Sequence, residues 1–439
     1  MPSNKPLLST AGGSDELSRA HARRLDEADA LAAFGTRYAR PRNAAGDALL
    51  YLCGHSLGLA PLRARALLQE EFDDWERLGV LGHEHARRPW TGYAQQFSNG
   101  LAQLAGAAAH EVVAMNSLTV NLHLMMASFY RPAAGRDCVL IEAGAFPSDR
   151  YAVISQMQWH GVDPRQALIE VAPRPGEALL RSEDIEAAIA AAGSKLALVL
   201  WPGVQYLTGQ AFDLASIARA AHRCGALAGF DLAHSIGNVP LRMHDWDADF
   251  AVWCSYKYLN GGPGAIAGAF VHERHGAPGA QPRLCGWWGN DPGTRFAMAP
   301  QFQAAAGADG WQLSNPPILA CAPLLASLED LVTAGMPALR TKSVALTGYL
   351  ERALRQLCGV QLQVLTPLDP AQRGCQLSLR VTGDAARFKR VYAAASERGL
   401  VGDRREPDVI RLAPVPLYNT FTEVLQAAEV LAVALREQP

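Results

Sequence analysis

Between residues 110 and 275, short apolar runs alternate with amphipathic helical segments, and this alternation limits the fold more than any other feature of the chain. Apolar residues recur at helical spacing in residues 120–130, 149–159, 182–192 and 214–224. The apolar runs predict six strands, at residues 112–115, 137–142, 196–201, 227–231, 250–254 and 267–272. Such alternation is typical of an α/β fold with a mostly parallel sheet, in which ligands bind at the carboxyl ends of the strands.

The pattern changes on both sides of this region. Upstream, helical spacing predicts helices at residues 15–35, 62–80 and 93–109, and residues 47–59 indicate a short strand followed by a glycine turn. Downstream of Asn315-Pro316-Pro317, the sequence predicts helices at 318–333, 337–357 and 421–437, and strands at 361–365, 375–381 and 409–413. We therefore predict three parts, which are an N-terminal segment with a helix (1–47), a large domain (48–320) and a smaller α+β C-terminal domain (321–439).

Composition excludes several classes of partner. The formal net charge of −2 over 439 residues argues against nucleic acid or an anionic membrane surface. The eight cysteines are scattered without a CxxC pair, which predicts free thiols in a reducing cytoplasm and no metal site. No apolar stretch reaches membrane-spanning length. Residues 1–14 are polar, lack a signal-peptide core and are predicted to be disordered.

Lys257 is the leading candidate for a catalytic residue. It lies in Ser255-Tyr256-Lys257-Tyr258-Leu259-Asn260, between the apolar run at 250–253 and the glycine-rich turn at 261–264. A lysine that forms a Schiff base with pyridoxal phosphate sits at such a strand end, where a glycine turn lets the backbone approach a ligand. The alternative is a surface lysine at the end of a strand.

Asp231 supports the first interpretation. It ends the apolar run at 227–230 and precedes Lys257 by 26 positions, which is enough for a strand, a connection and a second strand. Pyridoxal-phosphate enzymes need a carboxylate at the pyridine nitrogen, because a protonated ring is the better electron sink. The alternative is an ordinary turn residue.

Other segments are ambiguous when taken alone. Residues 116–121 link a strand to a helix and could cradle a phosphate, or Ser117 or Thr119 could simply cap that helix. Phe146 could stack on a ring, and Asp149 could be a plain N-cap. Arg411, within an apolar strand, could clamp a carboxylate or could reach water from an edge strand.

Taken together, ten segments occur in order from about residue 48 to residue 420. They are Gly54-His55-Ser56-Leu57-Gly58, Gly82-His83-Glu84, Asn116-Ser117-Leu118-Thr119-Val120-Asn121, Phe146-Pro147-Ser148-Asp149, Tyr206-Leu207-Thr208-Gly209-Gln210, Phe230-Asp231-Leu232-Ala233-His234, Ser255-Tyr256-Lys257, Gly286-Trp287-Trp288-Gly289, Ser314-Asn315-Pro316-Pro317 and Arg411-Leu412-Ala413-Pro414. In this combination they resemble the kynureninases, a family of pyridoxal-phosphate enzymes. The resemblance implies fold type I (aspartate aminotransferase-like), with a large domain and a smaller C-terminal domain.

The resemblance also implies the role of each site residue. Lys257 would hold the cofactor and move the Cα proton, Asp231 would pair with the pyridine nitrogen, and Tyr256 would bind phosphate and relay a proton. The remaining cofactor contacts would come from Leu118, Thr119, Phe146, Pro147, Ser148, Asp149, His234, Asn315 and, from a second subunit, Trp287. Substrate contacts would come from Arg411 at the α-carboxylate and from Ser56, His83, Trp288 and Asn315 around the aromatic ring.

The implied reaction is hydrolysis of kynurenine or 3-hydroxykynurenine to the matching anthranilate and L-alanine by a homodimer. Because His83 and Asn315 can hydrogen-bond a ring hydroxyl, we favour the 3-hydroxy substrate. Three residues depart from the family pattern: Pro202 stands where some relatives have a phosphate-binding serine, and Cys53 and His55 replace acidic or amide-like residues. Alternatives are a cysteine desulfurase or transaminase on the same fold, with Cys285 as the nearest candidate nucleophile, and a pyridoxal-phosphate-binding regulatory protein.

Overall fold

The structure is a computed structural model that describes residues 15–438, so the predicted disorder of residues 1–14 lies outside the described residues. Its strands are β1 Leu50–Tyr51, β2 Val112–Ala114, β3 Cys138–Glu142, β4 Leu168–Val171, β5 Leu196–Pro202, β6 Leu227–Asp231, β7 Phe250–Trp253, β8 Gly268–Val271, β9 Leu362–Val364, β10 Leu377–Val381, β11 Leu400–Val401, β12 Asp403–Arg405 and β13 Val409–Leu412. Its α-helices are α1 Arg19–Glu27, α2 Ala32–Gly35, α3 Ala64–Leu78, α4 Gly82–His85, α5 Ser98–Ala105, α6 Leu118–Phe129, α7 Pro147–Trp159, α8 Pro164–Ala167, α9 Ser182–Ala192, α10 Leu214–Arg223, α11 Ile318–Ala334, α12 Met336–Cys358, α13 Ala385–Glu397 and α14 Phe421–Glu437.

The main sheet has seven strands in the order β2-β8-β7-β6-β5-β3-β4. All neighbouring pairs from β4 to β7 are parallel, whereas β8 runs antiparallel to both β7 and β2. Strands β3, β7 and β8 are buried throughout, as expected for a sheet covered by helices on both faces. The prediction of a mostly parallel α/β sheet is confirmed.

The antiparallel direction of β8 explains why Lys257 lies in a loop and not in a helix. Parallel strands need a crossover connection, usually a helix, whereas antiparallel neighbours can be joined by a loop. The chain between β7 and β8 is accordingly a loop at residues 254–267, and Lys257 lies in it beside the carboxyl end of β7.

A second, antiparallel sheet in the order β12-β13-β10-β9 belongs to the C-terminal part of the chain. Its core is formed with α12, α13 and α14, and it also contains Ala22 of α1 and Leu52. Strand β1 pairs in parallel with β11. The segment around α1 and β1 therefore packs against the C-terminal sheet and its helices, although it lies at the opposite end of the sequence.

Several elements differ from the sequence-based prediction. The helix expected at 15–35 is divided into α1 and α2, and β4, α13, β11 and β12 were not predicted. Strand β4 is at the edge of the main sheet and only its last residue is buried, so it lacks a continuous apolar run. Strands β11 and β12 have two and three residues, which is too short for a periodic pattern.

Within residues 15–438, no single helix combines the length and apolar composition needed to cross a membrane. One pair, Ile318–Ala334 with Met336–Gln361, meets those two criteria only when the helices are taken together, and it is bent by 84°.

Candidate active site

One pocket at the carboxyl ends of β3, β5 and β6 collects most of the predicted cofactor residues. These residues lie at the starts of α6 and α7, at the end of β6 and in the loops that follow β6 and β7. The predicted residues that line this pocket are Leu118, Thr119, Phe146, Ser148, Asp149, Asp231, His234, Tyr256 and Lys257.

Lys257 is held by backbone contacts and by a histidine. The Gly58 amide donates to the Tyr256 carbonyl (2.8 Å), and the Asn260 amide donates to the Lys257 carbonyl (3.0 Å). Lys257 Nζ lies 3.0 Å from His234 Nε2. Burial, and then the Lys257 charge, hold the pKa of His234 well below its usual range, so the ring is neutral and Nε2 can accept from the ammonium.

Three buried carboxyl groups line the same pocket as this lysine. Asp231 ends β6, and its Oδ1 accepts from the Ala233 amide at 2.7 Å. Asp149 lies in the first turn of α7, and Glu142 ends β3, where its Oε1 accepts from Gln205 Nε2 at 3.4 Å. Burial, and then repulsion by Asp231, raise the pKa of Asp149 well above its usual range. Burial is also the main cause that raises the pKa of Glu142, to about 7.

The start of α6 is open toward a ligand. Ser117 is the N-cap but makes no side-chain capping bond, so the first N–H groups of α6 lack the side-chain cap that the sequence left open as an alternative. Thr119 Oγ1 lies 2.8 Å from Ser148 Oγ, which brings two hydroxyls together at the starts of two helices. A helix N-terminus with adjacent hydroxyls suits a phosphate group.

The N-cap alternative for Asp149 is wrong. Phe146 is the N-cap of α7 and Pro147, which is exposed, is its first residue, so Asp149 is the third and carries a buried side chain. Phe146 is 42% exposed and packs edge-on against Tyr206, with ring centroids 5.2 Å apart.

Arg411 and Ser56 do not line the pocket, but Arg411 contacts the pocket residue Tyr206. Arg411 is only 1% exposed, and β13 lies between β12 and β10, so the alternative of an edge-strand arginine in water is wrong. Its Nη1 donates to the Tyr206 carbonyl at 2.5 Å, and its Nη2 donates to Ser56 Oγ at 3.3 Å and to Asp403.

The remaining predicted contacts lie outside this pocket, both those of the cofactor (Trp287 and Asn315) and those of the substrate ring (His83, Trp288 and Asn315). His83 is exposed in α4, with its ring 5.4 Å from Trp90. Trp287 is half exposed and its Nε1 donates to the Arg295 carbonyl (3.0 Å), Trp288 is buried, and Asn315 is exposed. Within the single chain that the structure describes, these side chains are not brought together with Lys257.

Glu111, His244 and His272 lie away from this pocket and offer atoms within 4.8 Å of one another, a grouping that the sequence did not predict. The Glu111 carboxylate already accepts hydrogen bonds from the amides of Ala108 and Glu273 and from His244. These bonds tie the start of β2 to the end of β8.

The donor set of the pocket fits pyridoxal phosphate. Asp149 Oδ1 and His234 Nδ1 are buried, and neither has a hydrogen-bond partner among the residues that the structure describes. Buried polar atoms are normally paired, so these two atoms indicate a polar ligand beside them. A lysine, paired carboxylates and an uncapped helix start match the aldehyde, ring nitrogen and phosphate of that cofactor.

Comparison with known proteins agrees with this assignment. Residues 58–382 match the family model for aminotransferase class-V, and residues 339–431 match the model for the kynureninase C-terminal domain. A complex of the cystine C–S lyase C-DES with cysteine persulfide has a TM-score of 0.75 at 18% identity, and it covers 88% of this chain and 97% of that one. The apo cysteine desulfurase from Thermococcus onnurineus NA1 has a TM-score of 0.72 at 16% identity, with 89% and 95% covered. These structural similarities show the fold alone.

The fold and the pocket therefore define a pyridoxal-phosphate-dependent enzyme of fold type I, in the class V aminotransferase family. Proteins named kynureninase from Xanthomonas campestris pv. campestris (strain B100) and Stenotrophomonas maltophilia (strain K279a) are 56% and 55% identical to this chain. Each comparison covers 94% of this chain and 97% of the relative. The chain belongs to the kynureninase family, whose members are hydrolases of carbon–carbon bonds in ketonic substances.

Some site residues were not predicted. Glu142 and Tyr206 line the pocket, and Glu142 could have been found because it ends a predicted strand just before Phe146. Pro202, which the sequence singled out as a departure from the family pattern, lines the pocket as well. Tyr206 belongs to the segment Tyr206-Leu207-Thr208-Gly209-Gln210, for which the sequence predicted no role. Asp403 lies on a strand that was not predicted, and no sequence pattern connects it to Arg411.

Proposed function

We propose that this protein hydrolyses the Cβ–Cγ bond of L-kynurenine or 3-hydroxy-L-kynurenine, giving anthranilate or 3-hydroxyanthranilate and L-alanine. The observation that carries the proposal is the Lys257 pocket, with its buried Asp231 and Asp149, in a chain that is 56% identical to a protein named kynureninase over 94% of its length.

When bound, pyridoxal phosphate supplies an electron sink for the negative charge that develops on the substrate carbons. Lys257 would attach the cofactor and then move the proton at the substrate Cα. His234 Nε2, 3.0 Å from Lys257 Nζ, would orient the amine by accepting a hydrogen bond from it. Asp231 would hold the proton at the pyridine nitrogen, with Asp149 beside it.

The rest of the pocket would fix the cofactor. The first N–H groups of α6 at Leu118 and Thr119, the hydroxyls of Thr119 and Ser148, and the Tyr256 hydroxyl would bind its phosphate. Phe146 presents a half-exposed ring for stacking. Pro202 has no hydroxyl where some relatives have a serine, so helix α6 would supply more of the phosphate contacts.

Arg411 would bind the substrate α-carboxylate, since its guanidinium donates to the carbonyl of Tyr206, which lines the pocket, and its charge acts on His234. His83, Trp288 and Asn315 would face the substrate ring, with Ser56 nearby. Hydrogen bonding of a ring hydroxyl by His83 and Asn315 supports a preference for 3-hydroxykynurenine, because a site built to bond a hydroxyl rejects an analogue that lacks it.

A homodimer would complete the site. His83, Trp287, Trp288 and Asn315 lie outside the Lys257 pocket of their own subunit, which supports a contribution from the partner, including Trp287 at the phosphate. An apolar surface formed by the exposed Trp75 and Leu319 and the partly buried Trp90 lies next to Pro317 and is suited to burial between subunits. The eight cysteines all carry free thiols, which supports a reducing cytoplasm as the location.

The first experiment is to supply the purified, pyridoxal-phosphate-loaded protein with L-kynurenine and 3-hydroxy-L-kynurenine separately, with Lys257→Ala as the control. We expect L-alanine and the matching anthranilate from the wild type, a higher kcat/KM for the 3-hydroxy substrate, and no product from the variant. Equal kcat/KM values would remove the proposed preference. Bound cofactor without cleavage of either substrate would contradict the reaction, and sulfide release from cysteine would favour a desulfurase.

A further inference from the structure

The polar groups around the proposed carboxylate-binding site converge on one oxygen of Asp403, Oδ2. Ser56 Oγ donates to Asp403 Oδ2 at 2.5 Å, Arg405 Nη2 lies 3.0 Å from the same atom, and His55 Nε2 lies 3.9 Å from it. Arg411 Nη2 contacts this oxygen as well. A carboxylate oxygen surrounded by two guanidinium groups, a hydroxyl and an imidazole has the environment expected for a bound carboxylate ligand.

The position of Asp403 explains how this arrangement arises. Asp403 and Arg411 are direct partners in the antiparallel register of β12 and β13, so their side chains project on the same face of the small sheet. Strand β12 is three residues long and forms the edge of that sheet. An edge strand has one neighbour only and can shift at lower cost than the central strand that carries Arg411.

The same cluster lies close to the catalytic lysine. Burial, and then the charges of Arg411 and Lys257, hold the pKa of His55 well below its usual range, so this fully buried ring is neutral. Both His55 nitrogens and Arg411 Nε are buried, and no residue in the range 15–438 gives them a hydrogen-bond partner. These atoms indicate that a further polar group binds here besides Asp403.

We propose that Asp403 occupies, in the substrate-free enzyme, the position on Arg411 that a substrate carboxylate takes, and that substrate binding releases this internal carboxylate. The inference rests on the proposed role of Arg411. A buried guanidinium needs an anionic partner, and Asp403 provides it until a ligand carboxylate replaces it. After the exchange Asp403 stays paired with Arg405, and the substrate carboxylate pairs with Arg411.

The exchange makes Asp403 a specificity-determining residue. A competitor that holds Arg411 for about nine-tenths of the time lowers the apparent affinity for any carboxylate ligand about tenfold. Amines that lack a carboxylate do not need Arg411 and are not affected by this competition.

The test uses the holoenzyme of Asp403→Asn, which keeps the side-chain shape and removes the charge. L-alanine and ethylamine, which differ by the carboxylate, are titrated against wild type and variant, with binding followed by the absorbance of the bound cofactor. We expect the variant to bind L-alanine about tenfold more tightly and ethylamine with unchanged affinity. Unchanged or weaker L-alanine binding overturns the proposal, since Asp403 would then only position Arg411. An equal gain in affinity for L-alanine and ethylamine overturns the proposal as well.

Two controls make the result specific. Asp408 pairs with Arg380 Nε at 3.0 Å in the same sheet, so Asp408→Asn removes a comparable charge and should leave both affinities unchanged. Arg411→Gln separates the inference from the proposed function. If this variant binds L-alanine and ethylamine in the wild-type ratio, the carboxylate role of Arg411 fails. If Arg411→Gln weakens only the binding of L-alanine while Asp403→Asn changes neither affinity, the carboxylate role of Arg411 stands and only the inference about Asp403 fails.

A crystal structure of the wild-type holoenzyme with L-alanine tests the proposal without any substitution. We expect Arg411 Nη2 and Asp403 Oδ2 to be separated beyond ion-pair distance (about 4 Å), with the L-alanine carboxylate on Arg411. Retention of the Arg411–Asp403 contact beside bound L-alanine overturns the exchange.

Discussion

At the scale of single residues, the pocket places more carboxyl groups around Lys257 than it can keep ionised. Glu142, Asp149 and Asp231 are each at most 8% exposed, and burial favours the neutral form of a carboxyl group. Repulsion between neighbours adds to this effect, because Asp231 raises the pKa of both Glu142 and Asp149. Burial and this repulsion therefore both favour the protonated forms of Glu142 and Asp149.

Replacement of Glu142 by Gln should change the pH dependence of stability. The pKa of Glu142 is raised from 4.5 to about 7 in the folded protein. Its contribution is therefore fully present below pH 4.5 and is lost as the pH rises to about 7, because the unfolded chain gives up this proton first. The loss amounts to about 3 kcal/mol at most, and Glu142→Gln should not show it.

The measurement is the free energy of unfolding in urea at intervals from pH 4 to pH 8. As the pH rises, the free energy of unfolding of Glu142→Gln should increase relative to that of the wild type. Glu397→Gln, which replaces an exposed carboxylate at the end of α13, controls for loss of a surface charge. Parallel curves for Glu142→Gln and wild type would show that Glu142 does not titrate in this range.

At the scale of elements, the strands and helices of the main sheet were predictable because their signals are local. Strand β6 and helix α9 have the predicted limits, since an apolar run and a helical apolar stripe each report burial directly. Lys257 and Asp231 were found because both follow such runs. Asp403 could not be assigned in this way because β12 has only three residues and carries no periodic pattern. Tyr206 could not be assigned because its contact with Arg411 joins residues 205 positions apart.

The loop that carries Lys257 depends on a glycine from a different part of the chain. The Gly58 amide donates to the Tyr256 carbonyl, and a Cβ at residue 58 would overlap Asn260 Oδ1 and the Lys257 carbonyl. Gly58→Ala should therefore displace this loop while leaving both cores intact. Misplacement of a catalytic group by about 1 Å costs on the order of a hundredfold in rate, so we expect kcat to fall by about that factor.

Steady-state kinetics and circular dichroism of Gly58→Ala provide the measurement. Gly92→Ala is the matched control, because its added Cβ would meet only Gln95 Oε1 at 3.9 Å. A Gly58→Ala enzyme with wild-type kcat would mean that the loop tolerates the shift and that the Gly58–Tyr256 contact is not needed to position Lys257.

At the scale of the whole molecule, the N-terminal segment is part of the C-terminal packing. The carboxylate of Asp26 accepts from the amides of Phe421 and Thr422 and so caps the start of α14. Lys342 Nζ on α12 lies 2.6 Å from Asp29 Oδ2, with 7% and 8% of the two side chains exposed. Two ends of the sequence that share no local pattern are thus joined by buried charge, which the sequence could not reveal.

Loss of this buried pair should destabilise the protein far more than loss of an exposed pair between the same regions. Asp29→Asn leaves the Lys342 ammonium buried without its anion, which costs about 3–5 kcal/mol of unfolding free energy. The exposed pair Arg19–Glu429, at 2.8 Å, also joins α1 to α14, yet Glu429→Gln should cost only about 0–1 kcal/mol. Urea unfolding measures both effects. Adding Lys342→Met to Asp29→Asn should restore much of the loss, because no uncompensated charge then remains buried. Equal losses for the single and double variants would assign the effect to packing at residue 29 and not to the charge.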